Sequence, residues 1–185
     1  MGGGVYIASK VPAREVEVSW NVLVGNVALG RDAGVRVRDC RGGGIWLRGN
    51  AWIHHNTIVF NRADTPFVHP AAGALCVRES DVSTALEYNI IYGNAGGGVS
   101  TYGGTEGDEV VVRRNLLFSN EGDSISVDEN YQVVEEENLF VDPVLCVDNE
   151  TTRGHLATNS PALTSPFGII GAVRIPGCDG KGTQP

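Results

Sequence analysis

One recurring phrase, Asn-x-hydrophobic-x-x-Asn, constrains the fold of this chain more than any other feature. Four copies are present, bounded by Asn21 and Asn26, Asn56 and Asn61, Asn89 and Asn94, and Asn115 and Asn120. A decayed fifth copy begins at Asn138, and the steps between first asparagines are 35, 33, 26 and 23 residues. Self-similarity at such a period is typical of proteins whose repeats stack on their neighbours.

A second phrase runs in step with the first: a glycine-rich cluster that leads into a short strand. Its copies lie at residues 42–47, 72–77, 96–101 and, more weakly, 122–127. Other runs are β-branched or aromatic and are bounded by Gly, Asn or Asp, which is the punctuation of strands. No window of a dozen residues has the apolar spacing and caps of a helix. The sequence therefore predicts an all-β protein.

Short strands at a period of roughly two dozen residues predict a parallel β-helix of about six coils, in which each coil stacks on the next at about 4.8 Å. Equivalent residues of successive coils then lie above one another. A stacked asparagine can donate its amide hydrogen to the carbonyl oxygen of the next one, so the ladder satisfies polar groups at a buried turn. We interpret the paired asparagines as a structural ladder, and the glycines as residues that admit the positive φ angles or the tight packing that corners demand.

The alternation of Asn56-Thr-Ile-Val-x-Asn61 with Gly42-Gly-Gly-Ile45 resembles the right-handed parallel β-helix proteins of the pectate-lyase-like superfamily, which have the pectin lyase fold. The succession Asn138-Leu-Phe-Val-Asp-Pro143, Asn159-Ser-Pro-Ala162, Ile169-Ile-Gly-Ala172 resembles the closing segment of many secreted bacterial members. The resemblance implies coils over residues 1–140 and a tail over 141–185 that wraps and caps the last coil. It implies no single activity, because the superfamily holds lyases, hydrolases, epimerases and adhesins.

The charge of the chain is unevenly distributed. Residues 1–100 carry nine Lys and Arg against eight Asp and Glu, whereas residues 106–150 carry two against thirteen. Such an acidic half argues against nucleic acid or an anionic membrane as a partner. No stretch approaches 18 apolar residues, so the sequence predicts no membrane insertion.

The first residues, Met1-Gly-Gly-Gly-Val-Tyr-Ile7, match the glycine-led strand of later coils, so the chain opens in the middle of a repeat. Neither a basic n-region nor an apolar h-region follows, so we expect no signal peptide within this chain. We therefore expect the C-terminal part of a longer protein that is secreted or held at the cell surface. The alternative is a naturally short protein whose open end dimerises. An open first coil exposes strand edges, which predicts end-to-end self-association through the N-terminal edge.

Four cysteines allow a limited set of predictions. Cys146 and Cys178 bracket the tail, and a disulfide between them would pin it in a secreted setting. Cys40 and Cys76 occupy different places relative to their glycine clusters, which favours buried small apolar side chains. No Cys or His pair has zinc-ligand spacing.

Candidate chemistry is sparse. His54 and His55 are expected to point to opposite faces of a strand and so not to share a site. His69 lies in the longest loop between repeats, residues 62–71, which could wall a groove. Arginines and carboxylates could form an outward strip across coils, as in polysaccharide lyases of this superfamily, and Arg78 and Asp81 are its weak catalytic candidates.

No cofactor is predicted, and Ca²⁺ is a minor hypothesis. Three acidic runs invite it, but they lack the calcium-binding loop and solenoid patterns. These runs are Glu106, Asp108 and Glu109; Asp128 and Glu129; and Glu135, Glu136 and Glu137.

Two functions remain open. The first is an extracellular or cell-surface repeat domain that binds glycans or serves as a scaffold without catalysis. It follows from the regular repeats and from the absence of the hydrolase signatures Asn-Thr-Asp, Asp-Asp and Gly-His-Gly. The alternative is a fragment of a polysaccharide lyase or glycoside hydrolase acting on acidic polysaccharide. It would need convergent carboxylates and a groove walled by Trp46, Phe67 or Tyr102.

Overall fold

The computed structural model describes residues 4–8, 16–29, 42–64, 72–78, 83–146, 154–173 and 176–179. Sixteen short strands occur in these ranges and no helix does. Consequently none of these residues belongs to a helix long and apolar enough to cross a membrane. Every strand pairing between them is parallel, and each strand pairs with its equivalent one repeat away.

Three parallel sheets run along the molecule, and we name them A, B and C. Sheet A contains, in order, β1 (Val5–Ala8), β5 (Ile45–Arg48), β9 (Leu75–Arg78), β12 (Val99–Tyr102) and β15 (Ile125–Ser126). Sheet B contains β2 (Val16–Ser19), β6 (Ala51–His54), β10 (Ser83–Glu87), β13 (Asp108–Arg113) and β16 (Tyr131–Glu136). Sheet C contains β3 (Val22–Val24), β7 (Thr57–Val59), β11 (Ile90–Tyr92) and β14 (Leu116–Phe118), and a short pair joins β4 (Val27–Leu29) to β8 (Arg62–Asp64).

The predicted right-handed parallel β-helix is confirmed. Five coils run through the described residues, compared with about six predicted from the repeat. The difference arises because the chain leaves the sheets beyond β16, where a bridge between Leu116 and Leu139 is its last pairing with them. The interior of the coils is apolar: alternate residues of each strand point inward, and Ile45, Ile53 and Ile58 are fully buried.

Two asparagine ladders line the two ends of sheet C. In the first, each side-chain amide donates to the side-chain oxygen of the next asparagine, through Asn21, Asn56, Asn89, Asn115 and Asn138. The second connects Asn26, Asn61, Asn94 and Asn120 in the same way. Each oxygen also accepts the backbone N–H of the preceding asparagine, as Asn89 Oδ1 accepts that of Asn56 at 2.9 Å. The ladders thus satisfy buried groups that the strands leave unpaired at the corners.

The corner between sheets B and C is built without glycine. The residue before each asparagine of the first ladder has a positive φ. These residues are Trp20, His55, Tyr88, Arg114 and Glu137. This conformation costs a non-glycine residue about 1–2 kcal/mol, and the ladder hydrogen bonds that follow offset it. Glycines serve both expected purposes elsewhere: Gly25 and Gly93 have positive φ at the other end of sheet C, and a Cβ on Gly43 would lie 2.5 Å from the carbonyl oxygen of Gly73.

The tail lies along the outside of sheet C. Its residues Leu156, Ala162 and Ile170 are buried against outward side chains of that sheet, including Val59 and Ile90. It reaches the first coil as well, since a Cβ added at Gly154 would lie 3.1 Å from the side chain of Val22. The tail therefore covers the flank of the coils, which extends beyond the capping of the last coil that the resemblance implied.

A disulfide joins Cys146 and Cys178 across 32 residues of this tail. Cys76 is also disulfide-bonded, so the interpretation of this residue as a free buried thiol is wrong. Its side chain is fully buried. Burial is compatible with a thiol and with a disulfide, so it does not distinguish between them. Cys40 lies outside the described residues.

Replacing Gly171 with alanine tests how tightly the tail packs. Gly171 has a φ of 94°, and a Cβ there would lie 2.5 Å from Ile90 Cδ1. We expect a loss of about 2–4 kcal/mol, about 1–2 from the backbone conformation and the rest from overpacking. Gly168→Ala is the matched control, because Gly168 has a φ of 100° and nothing within 4 Å. Equal losses in urea unfolding of the two variants would contradict the close tail packing.

Candidate functional site

The outer face of sheet B carries polar and aromatic side chains in two rows that run across the coils. Strand register sets both rows. The first row contains Glu17, Trp52, Ala85, Val111 and Val134, and the second contains Ser19, His54, Glu87, Arg113 and Glu136. The residues between the two rows are buried in the first four strands, as Val18, Ile53, Leu86 and Val112, whereas Glu135 of β16 is exposed. The outer face of sheet B is therefore where side chains of separate repeats come together.

His54 lies on this face but is only 6% exposed. The ring of Trp52 lies against it with 3.9 Å between centroids. His54 Nε2 is 3.0 Å from Glu17 Oε1, and His54 Nδ1 is 2.9 Å from His55 Nδ1. Both ring nitrogens of His54 are thus hydrogen-bonded, and the ring is fixed between a carboxylate and a second imidazole.

His55 shares the site with His54, so the prediction that the two rings point to opposite faces is wrong. That prediction assumes a continuous strand, whereas β6 ends at His54 and His55 has a φ of 53° in the corner. The ring of His55 stacks between those of Trp20 and Tyr88, at centroid distances of 4.3 and 4.9 Å. Stacking and backbone conformation together hold the second imidazole next to the first.

The two facing Nδ1 atoms share one proton, because a hydrogen bond between imidazoles needs one N–H donor and one bare nitrogen. The rings meet nearly perpendicular, at 87°. Glu17, His54 and His55 therefore form a hydrogen-bonded chain along which a proton can move. Hydrogen bonds from Ser19 and His54 lower the pKa of Glu17 below its ordinary value of 4.5, so this carboxyl group is ionised at neutral pH.

Trp52 is held in a fixed orientation on the outer face of sheet B. Its Nε1–H donates to Glu87 Oε2 at 3.0 Å, and Arg113 Nε donates to the other oxygen of the same carboxylate. Glu87 is 6% exposed and Trp52 is 38% exposed. The indole is thus fixed through its edge by Glu87 and on one face by His54, and it still presents a large surface to solvent.

A row of corner residues continues the site towards the tail. Arg114 Nη1 donates to the Tyr88 hydroxyl at 2.9 Å, and Arg114 Nε donates to Glu137 Oε2 at 2.7 Å. Its guanidinium also lies 5.8 Å from the ring centre of Phe167, which the tail supplies. The hydrogen bonds to Glu137 and Tyr88 raise the pKa of Arg114 above its ordinary value. The corner arginine is therefore already engaged with protein groups.

The weak catalytic candidates from the sequence lie elsewhere. Arg78 ends β9 in sheet A, beside Arg48 and Tyr102 in the register, so it is not on the outer face of sheet B. Asp81 lies outside the described residues, as do His69 and Phe67. Trp46 is in sheet A, 7% exposed and stacked on Tyr6. Of the predicted aromatic walls, Trp46 and Tyr102 thus lie in sheet A and not around the sheet B residues.

Sequence reasoning missed Glu17, Trp52 and Glu87, although a signal for them exists. Glu17 and Trp52 each precede a ladder asparagine by four residues, and His54, Glu87 and Arg113 each precede one by two. Counting back from the asparagines would have placed these residues in two rows.

The acidic runs do not converge within the described residues. Asp108 is 5% exposed and accepts hydrogen bonds from the backbone N–H and hydroxyl of Thr105, so it closes its own turn. In the described ranges, no group of three or more His, Cys, Asp or Glu is arranged to hold a metal ion. The calcium hypothesis therefore gains no candidate ligand set here.

Comparison with known proteins identifies the family of the chain. A family model described as right-handed beta helix region covers residues 2–160. No curated protein and no solved structure matches the chain significantly.

Proposed function

Since the chain belongs to the right-handed β-helix family, we propose that it is a non-catalytic repeat domain that binds a glycan on the outer face of sheet B. The observation that carries this proposal is the fixed, exposed indole of Trp52. A sugar ring has an apolar face of C–H groups, and an aromatic ring held against solvent offers the complementary flat surface. Trp gives such contact area at a low entropic cost, because it has only two side-chain torsions.

Polar groups around the indole suit the hydroxyls of a sugar. Glu17 lies directly across from Trp52 in the register, and its side chain is 58% exposed. Carboxylate oxygens accept hydrogen bonds from hydroxyl groups. A stacking surface beside a few oriented polar groups is the usual composition of a small-molecule site. Adjacent coils at about 4.8 Å extend this surface along the axis, which suits a chain-like ligand.

An extracellular or cell-surface location is part of the same proposal. The disulfide between Cys146 and Cys178 and the disulfide-bonded Cys76 support it, because such bonds persist in oxidising compartments and are rare in the cytosol. Glycans exposed outside cells would then be accessible to the outer face of sheet B.

A glycan array followed by calorimetry with Trp52→Ala tests the proposed function. We expect the wild type to bind at least one oligosaccharide, and the variant to bind it about tenfold or more weakly, a loss of about 1.4 kcal/mol or more. Tyr6→Ala is the control: Tyr6 is 57% exposed and stacks on Trp46, but it lies in sheet A. Unchanged affinity of a folded Trp52→Ala variant would overturn the assignment of the face.

The alternative function is that of a lyase or hydrolase fragment. The observation in its favour is the Glu17–His54–His55 chain, since a carboxylate behind an imidazole is a common arrangement for acid–base catalysis. An ultraviolet assay for unsaturated uronate and a reducing-end assay, run on the array hits, test it. Turnover that disappears in His54→Ala would favour this alternative over non-catalytic binding.

A further inference from the structure

The charges on the outer face of sheet B limit the kind of glycan that fits. Among the described strand residues that point outward there, four are carboxylates and one is a guanidinium. The carboxylates are those of Glu17, Glu87, Glu109 and Glu136, and the guanidinium is that of Arg113. An anionic sugar would be repelled by this excess, because like charges at close range oppose binding.

The two described arginines near the site, Arg113 and Arg114, are paired with protein carboxylates. Arg113 donates to Glu87, whose side chain is 8% exposed, and Arg114 donates to Glu137 and Tyr88. Each guanidinium is therefore already paired with a protein carboxylate, which offsets its positive charge and weakens its attraction to a carboxylate or sulfate on a ligand. Recognition of acidic polysaccharide, which the sequence suggested for the enzyme alternative, is therefore disfavoured at this face.

Glu17 is different from the other carboxylates near Trp52. Glu87 is buried under the indole and paired with Arg113, whereas 58% of the Glu17 side chain is exposed. Its hydrogen bonds come from the hydroxyl of Ser19 at 2.9 Å and from His54 at 3.0 Å, both to the same oxygen, Oε1. These contacts fix the carboxylate beside the indole.

We propose that the ligand is a cationic amino sugar, whose ring stacks on Trp52 and whose ammonium group pairs with Glu17. This inference rests on the proposed function and adds the substrate class. The two residues are register partners in the parallel strands β2 and β6, which lie about 4.8 Å apart. One hexosamine ring can therefore contact the indole with its apolar face while an amine on its edge reaches the carboxylate.

The attraction between the amino sugar and the protein has a charge-dependent part, which salt weakens, and an apolar part, which does not depend on charge. An ammonium group near a partly exposed carboxylate is screened by ions, and an ammonium group near an indole face gains a further cation–π contribution. Stacking of the apolar ring face does not depend on charge. The preference for the amine over its acetylated form should therefore fall as salt rises, while the remaining affinity persists.

Calorimetry with three hexasaccharides tests this inference, at a pH where amines are protonated. They are the hexamers of glucosamine, of N-acetylglucosamine and of galacturonic acid. We expect the wild type to bind the glucosamine hexamer about tenfold more tightly than its acetylated form and not to bind the uronate. Glu17→Gln keeps a group that can hydrogen-bond His54 but removes the charge. It should lose the preference, so that the amino and acetylated hexamers bind this variant with similar affinity.

Glu129→Gln is the matched control, because Glu129 is an exposed carboxylate in the turn before β16 and belongs to neither row of sheet B. It should leave all three affinities unchanged. Equal binding of the amino and acetylated hexamers, or a preference that survives in Glu17→Gln, would overturn the inference while leaving the proposed glycan binding intact. Binding of the uronate alone would also overturn it. If no oligosaccharide binds, either in calorimetry or on the array, both the proposed glycan binding and the preference for amino sugars are contradicted.

Discussion

Replacing Asn89 with alanine is expected to lower the free energy of unfolding by about 3–5 kcal/mol, because it leaves several buried groups without partners at about 1–3 kcal/mol each. Asn89 is fully buried, and its amide donates to Ile53 O at 2.8 Å and to Asn115 Oδ1 at 3.0 Å. Its oxygen accepts from the backbone and side-chain amides of Asn56 at 2.9 and 3.0 Å. Alanine removes all four hydrogen bonds and fills none of the space.

Asn21→Ala is the control for this variant, since Asn21 belongs to the same ladder but is exposed in the first coil. Its amide donates to Ser19 O and to Asn56 Oδ1, and water can replace both contacts. We expect a loss below about 1 kcal/mol, the usual net value of an exposed hydrogen bond. Urea unfolding followed by circular dichroism measures both variants. A loss of only a few tenths for Asn89→Ala would contradict the ladder's role in stability.

Removing the tail disulfide is the second large change. The double variant Cys146→Ala/Cys178→Ala is expected to lose about 3–4 kcal/mol, the chain-entropy value for a loop of this length. The bond closes a separation of 32 residues. Within that loop, Ile170 is buried on sheet C, and Ala172 N donates to Thr57 Oγ1 at 3.0 Å. The tail should therefore become easier to detach while its individual contacts remain available.

Hydrogen exchange distinguishes local detachment from a general loss of stability. We expect faster exchange at Ile170 and Gly171, whose amides donate to Ala162 O and Tyr88 O. Exchange at Ile58 and Ile91 inside the coils should follow only the global stability. The double variant is a cleaner probe than a reducing agent, because Cys76 is disulfide-bonded too. Unchanged exchange in the tail would show that noncovalent packing alone holds it.

The fold was predictable because it depends on local, repeated signals. The paired asparagines mark the two ends of sheet C in each coil, and the β-branched runs before them supply the strands. The repeat length varied from 35 to 23 residues, yet the register of the strands beside each asparagine stayed constant. Constant spacing near the asparagines was therefore a better guide than the period itself.

The candidate site was harder to predict, because it depends on where strands end. His54 and His55 share a site because the strand ends at His54 and the chain turns at His55. The turn depends on the positive φ of His55, which the sequence does not reveal. Trp52 and Glu87 are 35 residues apart, and only correct alignment of two coils brings the indole to the carboxylate.

The position of the tail could not be predicted from repeats at all. It contacts sheet C through residues far away in the sequence, as Ala172 and Thr57 are 115 residues apart. No periodic pattern connects such residues. The fit instead depends on the shape of the sheet's outer surface, for example on the contact between Gly171 and Ile90.

The most direct test of glycan binding on sheet B is a titration followed through the indole N–H signals in ¹H–¹⁵N NMR. The chain has three tryptophans, Trp20, Trp46 and Trp52. We predict that the oligosaccharide found on the array shifts the signal of Trp52, whose N–H donates to Glu87, and leaves that of the buried Trp46 in sheet A unchanged. Saturable binding with no change at Trp52 would contradict the assignment of the outer face of sheet B as the glycan-binding surface.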